Sequence, residues 1–194
     1  RVMDATGKYV LCDCTGYRLD GTDTEPSMYV GIIINRSLAD TTDSVTGLGD
    51  VHALVNAIGE MRRVAREAGF IAIKVDDIAE VNARFGFDAG DRVLAESAAC
   101  LMDCSRGKGR LFRSTGPMFV ALFDELGPEA IDELANEIER FLGSPVLIGS
   151  LEYQPPIRVA TLHLNSVDRQ PVSILNELKA LLKEAPQVPG TKLD

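Results

Sequence analysis

From residue 43 onward the apolar positions switch repeatedly between a spacing of two and a spacing of three to four, which predicts strands and helices in turn. Val51, Leu54, Val55, Ile58 and Met61 mark one buried helix face, with Asp50 placed to cap it and Gly69 to end it. Phe70–Val75 reads as a short apolar strand interrupted by Lys74. Asp76 is placed to cap a short helix reaching about Arg84. Gly86 and Gly90 bracket a loop, and Asp91 opens a helix to about Cys104 with Leu94, Ala98, Leu101 and Met102 inward. Gly109–Arg113 and Met118–Asp124 form a hairpin around the turn Ser114-Thr115-Gly116-Pro117. Pro128 and Gly143 frame a helix carrying Ile131, Leu134, Ile138, Phe141 and Leu142 on one side. Ile157–Asn165 alternates as a strand, and Pro171 starts a last helix with Ile174, Leu175, Leu178, Leu181 and Leu182 inward.

Ahead of this region lie two strand-like runs, Lys8–Cys14 and Tyr29–Asn35, separated by a polar stretch. A lone hairpin is marginal in water and must lean on other structure. The expected organisation is therefore a β-hairpin over 1–36, a polar linker over 37–42, a main domain over 43–184 and an irregular tail over 185–194. Interleaved strands and helices with a central hairpin predict an α/β fold, a mixed central sheet flanked by helices.

Composition narrows the function classes. A formal net charge of −9 argues against nucleic-acid binding, which needs a basic face, though not against a nucleotide site. No apolar run approaches the roughly 20 residues that span a bilayer, so no membrane contact is expected from this segment. There is no signal-peptide pattern, and the chain begins with Arg1 rather than Met, as expected of a piece of a longer protein. The cysteines, Cys12 and Cys14 with Cys100 and Cys104, lack the spacing of a zinc site, so reduced structural thiols and a cytoplasmic location are expected. Two histidines are too few for a His-rich metal cluster, and no Walker-type loop is present.

Several segments together resemble the GGDEF (diguanylate cyclase) family. Asp43-Ser44-Val45-Thr46-Gly47-Leu48 is similar to the D-x-L-T-G-L signature that opens such domains, although Asp50-Val51-His52 follows where the family has Asn-Arg-Arg. Asn82, Gly86, Gly90-Asp91 and Arg113 continue the match. Gly7-Lys8-Tyr9-Val10, Gly16, Asp20-Gly21, Pro26 and Gly31-Ile32-Ile33 resemble the last strands of a PAS sensor domain, while a plain hairpin accounts for the same residues.

The resemblance implies a reaction, the joining of two GTP molecules on facing protomers into cyclic di-GMP, that needs two divalent cations held by carboxylates. Here the strand acid is replaced by Lys74, and the Gly-Gly-Asp-Glu turn reads Thr115-Gly116-Pro117-Met118. A cation repels Mg²⁺, and Pro and Met bring no hard side-chain oxygen, so no metal and no retained catalytic residue are expected. Asp76 and Asp77 lie close in sequence but match other positions of the family pattern. Asn82 and Asp91 match the residues that read guanine, and Lys183 matches a phosphate-gripping lysine whose Gly-Arg companions fall on Pro186 and Gln187. A local turn or cap role explains Asn82 and Asp91 equally. Arg106 is the remnant of an inhibitory Arg-x-x-Asp site whose aspartate is Gly109; a solvated turn is the plainer account.

The expected function is a catalytically silent regulatory or dimerising module in cyclic di-GMP signalling. The partners expected are a second copy or another GGDEF or EAL domain. Three alternatives stand beside it: an allosteric module binding GTP weakly through Asn82 and Asp91, residual cyclase activity, and a purely structural partner of an active protein.

Overall fold

The computed structural model describes residues 41–64, 67–105, 107–142, 144–165 and 169–191, and ahead of these the backbone of residues 2–3, 9–10, 12–19 and 28–35. The chain divides into two compact units, Arg1–Asp40 and Thr41–Asp194.

In the first unit β1 (Val2–Met3) pairs antiparallel with β2 (Tyr9–Val10), and β3 (Cys12–Leu19) with β4 (Met28–Asn35). The expected hairpin is there, but its first strand is Cys12–Leu19 rather than Lys8–Cys14, and Tyr9–Val10 pairs with Val2–Met3 instead. The side chains of Cys12 and Cys14 lie outside the described residues.

The second unit is built on a five-stranded sheet in the order β11-β10-β5-β7-β6. Its strands are β5 (Ala68–Val75), β6 (Arg110–Arg113), β7 (Met118–Asp124), β10 (Ile157–Leu164) and β11 (Gln187–Val188). All four ladders are antiparallel, and the expected mixed character is confined to one isolated parallel bridge between Gly49 and Phe112. Two residues of the tail expected to be irregular thus form an edge strand on β10.

Strand alternation sorts the core into two layers. Ile71, Ile73 and Val75 of β5 face one way, with Phe119, Ala121 and Phe123 of β7. They pack on α2 (Ile78–Phe85), α3 (Phe87–Ser105) and α4 (Pro128–Leu142). Phe70 and Ala72 face the other way with Met118, Val120 and Leu122, against α1 (Val51–Val64) and α5 (Pro171–Glu184). A small hairpin, β8 (Val146–Ile148) and β9 (Leu151–Tyr153), turns at Gly149 and was not anticipated.

Three boundary expectations are corrected. Gly69 does not stop α1, which ends at Val64; it lies in β5, where a Cβ would stand 2.2 Å from Ile131 Cδ1, so glycine serves close packing there. Gly90 is not in a loop and Asp91 does not open its helix, because α3 starts at Phe87 and includes both. Asp76 is not the cap of α2: Asp77 holds that position in the left-handed region at φ 61°, making no side-chain cap bond. By contrast Asp50 caps α1 as expected, its Oδ1 accepting from the His52 and Ala53 amides at 2.8 Å. Gly143 lies outside the described residues.

Candidate functional site

The opening segment and the hairpin are tied together by one carboxylate. Asp43 Oδ1 accepts from the Thr46 amide at 2.9 Å and the Thr46 hydroxyl at 2.8 Å, and Gly47 turns the chain at φ 71°. Arg113 Nη1 donates to Asp43 Oδ1 at 3.0 Å, while its Nε donates to the Gly116 carbonyl at 3.0 Å and so closes the turn. Burial pushes the Asp43 carboxyl up, but the bonds from Thr46 and Arg113 outweigh it and hold the pKa below its ordinary value. Thr46, Gly47 and Arg113 therefore have a structural reason for being where they are.

At one end of the sheet the β-register sets Gln187, Arg158, Lys74 and Met118 side by side on four adjacent strands. Asp76, 6% exposed, lies against this row. Its Oδ1 accepts from Lys74 Nζ, and its Oδ2 accepts from Arg158 Nε at 2.9 Å and Gln187 Nε2 at 2.7 Å. Arg158 Nη1 also donates to the Ala185 carbonyl at 2.7 Å, fastening the segment that leads into β11. Burial raises the Asp76 pKa, yet the bonds from Lys74 and Gln187, the Lys74 charge and the bond from Arg158 leave it lowered overall.

Beyond Asp76 lies a cavity of about 460 Å³. Lys74, Arg158, Lys179 and Lys183 supply its charge, and Thr115, Pro117, Met118 and Leu182 complete its wall. The structure thus brings together Lys74, Thr115, Pro117, Met118 and Lys183 among the residues singled out from the sequence; Gly116 stays in the exposed turn at φ 58°.

Divalent cations of the kind the resemblance implies do not fit this donor set. The cavity wall carries ammonium and guanidinium groups, a proline and a thioether, and no carboxylate. The nearby acid, Asp76, already has both oxygens engaged by cationic and amide donors. Asp77 is exposed. Among the described residues no group of three or more His, Cys, Asp or Glu is arranged to hold a metal.

Asn82 and Asp91 belong to a different place, the contact between α2 and α3. Gly90 brings the α3 backbone so close that a Cβ would stand 1.9 Å from Asn82 Oδ1. That oxygen is sealed from solvent and has no hydrogen-bond partner among the described residues. Asp91 follows Gly90 on the exposed side of α3, inside the helix rather than at its N-cap. Neither residue lines the cavity at Lys74. Arg106 lies outside the described residues; the adjoining Gly107, Lys108, Gly109 and Arg110 border a separate cavity of about 420 Å³. Arg110 pairs there with Asp124 at 3.3 Å and with Glu60 at 3.5 Å, both exposed.

Sequence reasoning missed Arg158, Lys179 and the part played by Gln187. Arg158 carried a signal, since in an alternating strand it sits on the same face as Ala160, Leu162 and Leu164. Cys100 and Cys104 are free thiols one helical turn apart, and burial pushes Cys104 up to about 12, which keeps it protonated.

Among the described residues no helix is long and apolar enough to cross a membrane. The chain is 29% identical over 119 residues to the cyclic di-GMP phosphodiesterase PdeR of Escherichia coli, a match covering 60% of this chain and 18% of that protein. Its fold is similar to that of diguanylate cyclase SiaD from Pseudomonas aeruginosa, solved in complex with its activator SiaC. That match has TM-score 0.70 at 20% identity, over 76% of this chain and 58% of that one. The GGDEF domain of FimX from the same organism matches with TM-score 0.70 at 16% identity, over 75% and 93%. The family model "Diguanylate cyclase, GGDEF domain" matches residues 40–186, most of the chain. With the sheet, the Asp43–Arg113 tie and these matches in agreement, the chain belongs to the GGDEF domain family.

Proposed function

We propose that this domain is silent as a diguanylate cyclase and acts as a regulatory or dimerising module within a cyclic di-GMP signalling protein. One observation carries the reading. Where the reaction needs hard oxygen ligands for divalent cations, the sheet end presents Lys74, Pro117 and Met118, with the Lys74 ammonium engaged by Asp76. In-line attack on an α-phosphate without metal leaves its nucleophile unactivated. The setting is supported by a matched relative named as a cyclic di-GMP phosphodiesterase and by a fold neighbour that is a diguanylate cyclase held with its activator. Its partner in this reading is a second copy or another GGDEF or EAL domain, in the cytoplasm. The strand pairs ahead of residue 41 are read as the end of a PAS-type sensor on the sequence pattern alone. Incubation with GTP and Mg²⁺ or Mn²⁺, followed by chromatography, tests the proposal: no cyclic dinucleotide is expected, and reproducible product overturns it.

A second reading is favoured by the sealed, unpartnered Oδ1 of Asn82. A buried acceptor without a partner is costly, and a base edge that donates to it, admitted by an opening of the α2–α3 contact at Gly90, would relieve the cost. In this reading GTP binds weakly at Asn82 and Asp91 and regulates a neighbouring domain. Calorimetric titration with GTP tests it, since Asn82→Ala then abolishes binding; equal affinity in the variant refutes it.

A further inference from the structure

Two nucleophilic side chains take no part in the chemistry of the sheet end. Cys100 and Cys104 are free thiols four residues apart on α3, a spacing that sets both on one face of the helix. Cys104 is buried in the core layer and Cys100 is half-buried at its margin. The two thiols share a hydrogen bond, so their sulfurs face each other across the turn. Cys100 also lines a cavity of about 120 Å³ whose wall includes the exposed Glu96 and Phe141, which gives the pair an approach from the surface. Asp103 and, from α4, Glu137 place negative charge beside the thiols.

Distance decides what such a pair can hold. A disulfide needs Cβ atoms about 3.5–4.5 Å apart, whereas side chains one turn apart on a helix have theirs about 5–6 Å apart. Closing that bond would distort the turn. A metal ion with thiolate bonds of about 2.3 Å, the length found at zinc, spans roughly 4.6 Å between two sulfurs in line and leaves the helix intact. Zinc itself takes four ligands, and among the described residues no group of three or more His, Cys, Asp or Glu is arranged to hold a metal.

We propose that Cys100 and Cys104 form a two-coordinate site for a soft monovalent cation, Cu⁺, held in line between their sulfurs on one face of α3. Thiolates are the ligands that select such an ion. Binding replaces the two S–H bonds by two metal–sulfur bonds, releases two H⁺ to solvent and leaves a complex of charge −1; no electron is transferred. Burial holds both protons on the empty pair, so only an ion with a strong preference for sulfur displaces them. The acids beside the pair favour the approach of a cation, and the apolar layer around Cys104 keeps further ligands away. The site is separate from the sheet end and stands whether or not the domain is silent as a cyclase.

The test uses the full chain carrying Cys12→Ser and Cys14→Ser, so that Cys100 and Cys104 are the remaining thiols. It is titrated with Cu⁺ without oxygen against bicinchoninate as competing chelator, and the loaded chain is then examined by X-ray absorption at the copper edge. One ion per chain with two sulfur neighbours is expected, with helix content by circular dichroism unchanged. Cys100→Ser is expected to weaken binding by more than about 100-fold, beyond what loss of an outer partner of a metal ligand costs. Cys104→Ala gives the same loss from the buried side, and the half-buried Cys100 carries the test should that core variant fail to fold. Zn²⁺ offered in place of Cu⁺ is expected to be left with the chelator. Failure to take Cu⁺ from bicinchoninate, three or more sulfur neighbours, an ion shared between two chains, or unchanged affinity in Cys100→Ser overturns the proposal. Uptake of Zn²⁺ as tight as that of Cu⁺ overturns the two-coordinate assignment.

Discussion

Replacing Asp76 by asparagine removes the charge that holds the sheet end together while keeping the shape of the side chain. Lys74 and Arg158 are direct cross-strand neighbours, so without the carboxylate two cations face each other on adjacent strands. Losing one member of a fully buried ion pair costs about 3–5 kcal/mol, whereas exposed pairs are worth about 0–1 kcal/mol. Asp76 is buried, but the side chains of Lys74 and Arg158 are 44% and 29% exposed, which places the expected loss between the two, at about 2–3 kcal/mol. For a unit the size of Thr41–Asp194 this lowers Tm by about 4–12 °C. The sign of the pH dependence follows from the lowered pKa of Asp76 in the folded chain. Its stabilisation is fully present above the carboxylate's unfolded value, near 3.8, and is lost as pH falls through the lower folded value. Wild type and Asp76→Asn should therefore differ by a constant amount from about pH 5 upward and converge at lower pH. Urea and thermal unfolding followed by circular dichroism at several pH values measure this. Equal stability at neutral pH, or a difference that persists once the carboxylate is protonated, refutes the role given to Asp76.

Other consequences are as specific. Arg113→Ala removes the tie between the opening segment and β6, and with both partners largely buried it is expected to cost about 1–3 kcal/mol. A double-mutant cycle with Asp43→Asn should give a coupling of about 1 kcal/mol or more, and additivity within error contradicts the tie. Tyr153 is fully buried and its hydroxyl has no hydrogen-bond partner among the described residues, while burial pushes its pKa up to about 12. Tyr153→Phe should leave urea stability unchanged or raise it by about 1 kcal/mol, and a clear loss shows that the hydroxyl has a partner in solution.

Much of the fold was legible because its long elements carry strong periodicity. The helices α1 and α5 and the strands β7 and β10 follow the spacing of their apolar residues closely; in α4 Ile131, Ile138 and Leu142 are buried as expected, but Phe141 is 49% exposed. Glycine misled where it serves packing rather than a turn: Gly69 lets β5 pass close to Ile131, and Gly90 lets α3 press against Asn82. The two-residue strand β11 has no local signature, since it exists only by pairing with β10. The site was half legible. Lys74, Pro117 and Met118 stood out as residues whose chemistry is wrong for a metal. The network around Asp76 did not, because Arg158 lies 82 and Gln187 lies 111 positions away in sequence and only the register of β5, β10 and β11 brings them together. Likewise Lys179 gains its meaning from the cavity, not from any pattern along α5.

The account turns on whether this sheet end can support metal-assisted phosphoryl chemistry. The direct measurement is incubation of the chain with GTP and Mn²⁺ at protein concentrations high enough to force pairing of protomers, with the nucleotides then separated by chromatography. The account predicts that GTP is recovered unchanged. Cyclic di-GMP that accumulates in proportion to protein, and fails to form when EDTA is present from the start, would contradict it.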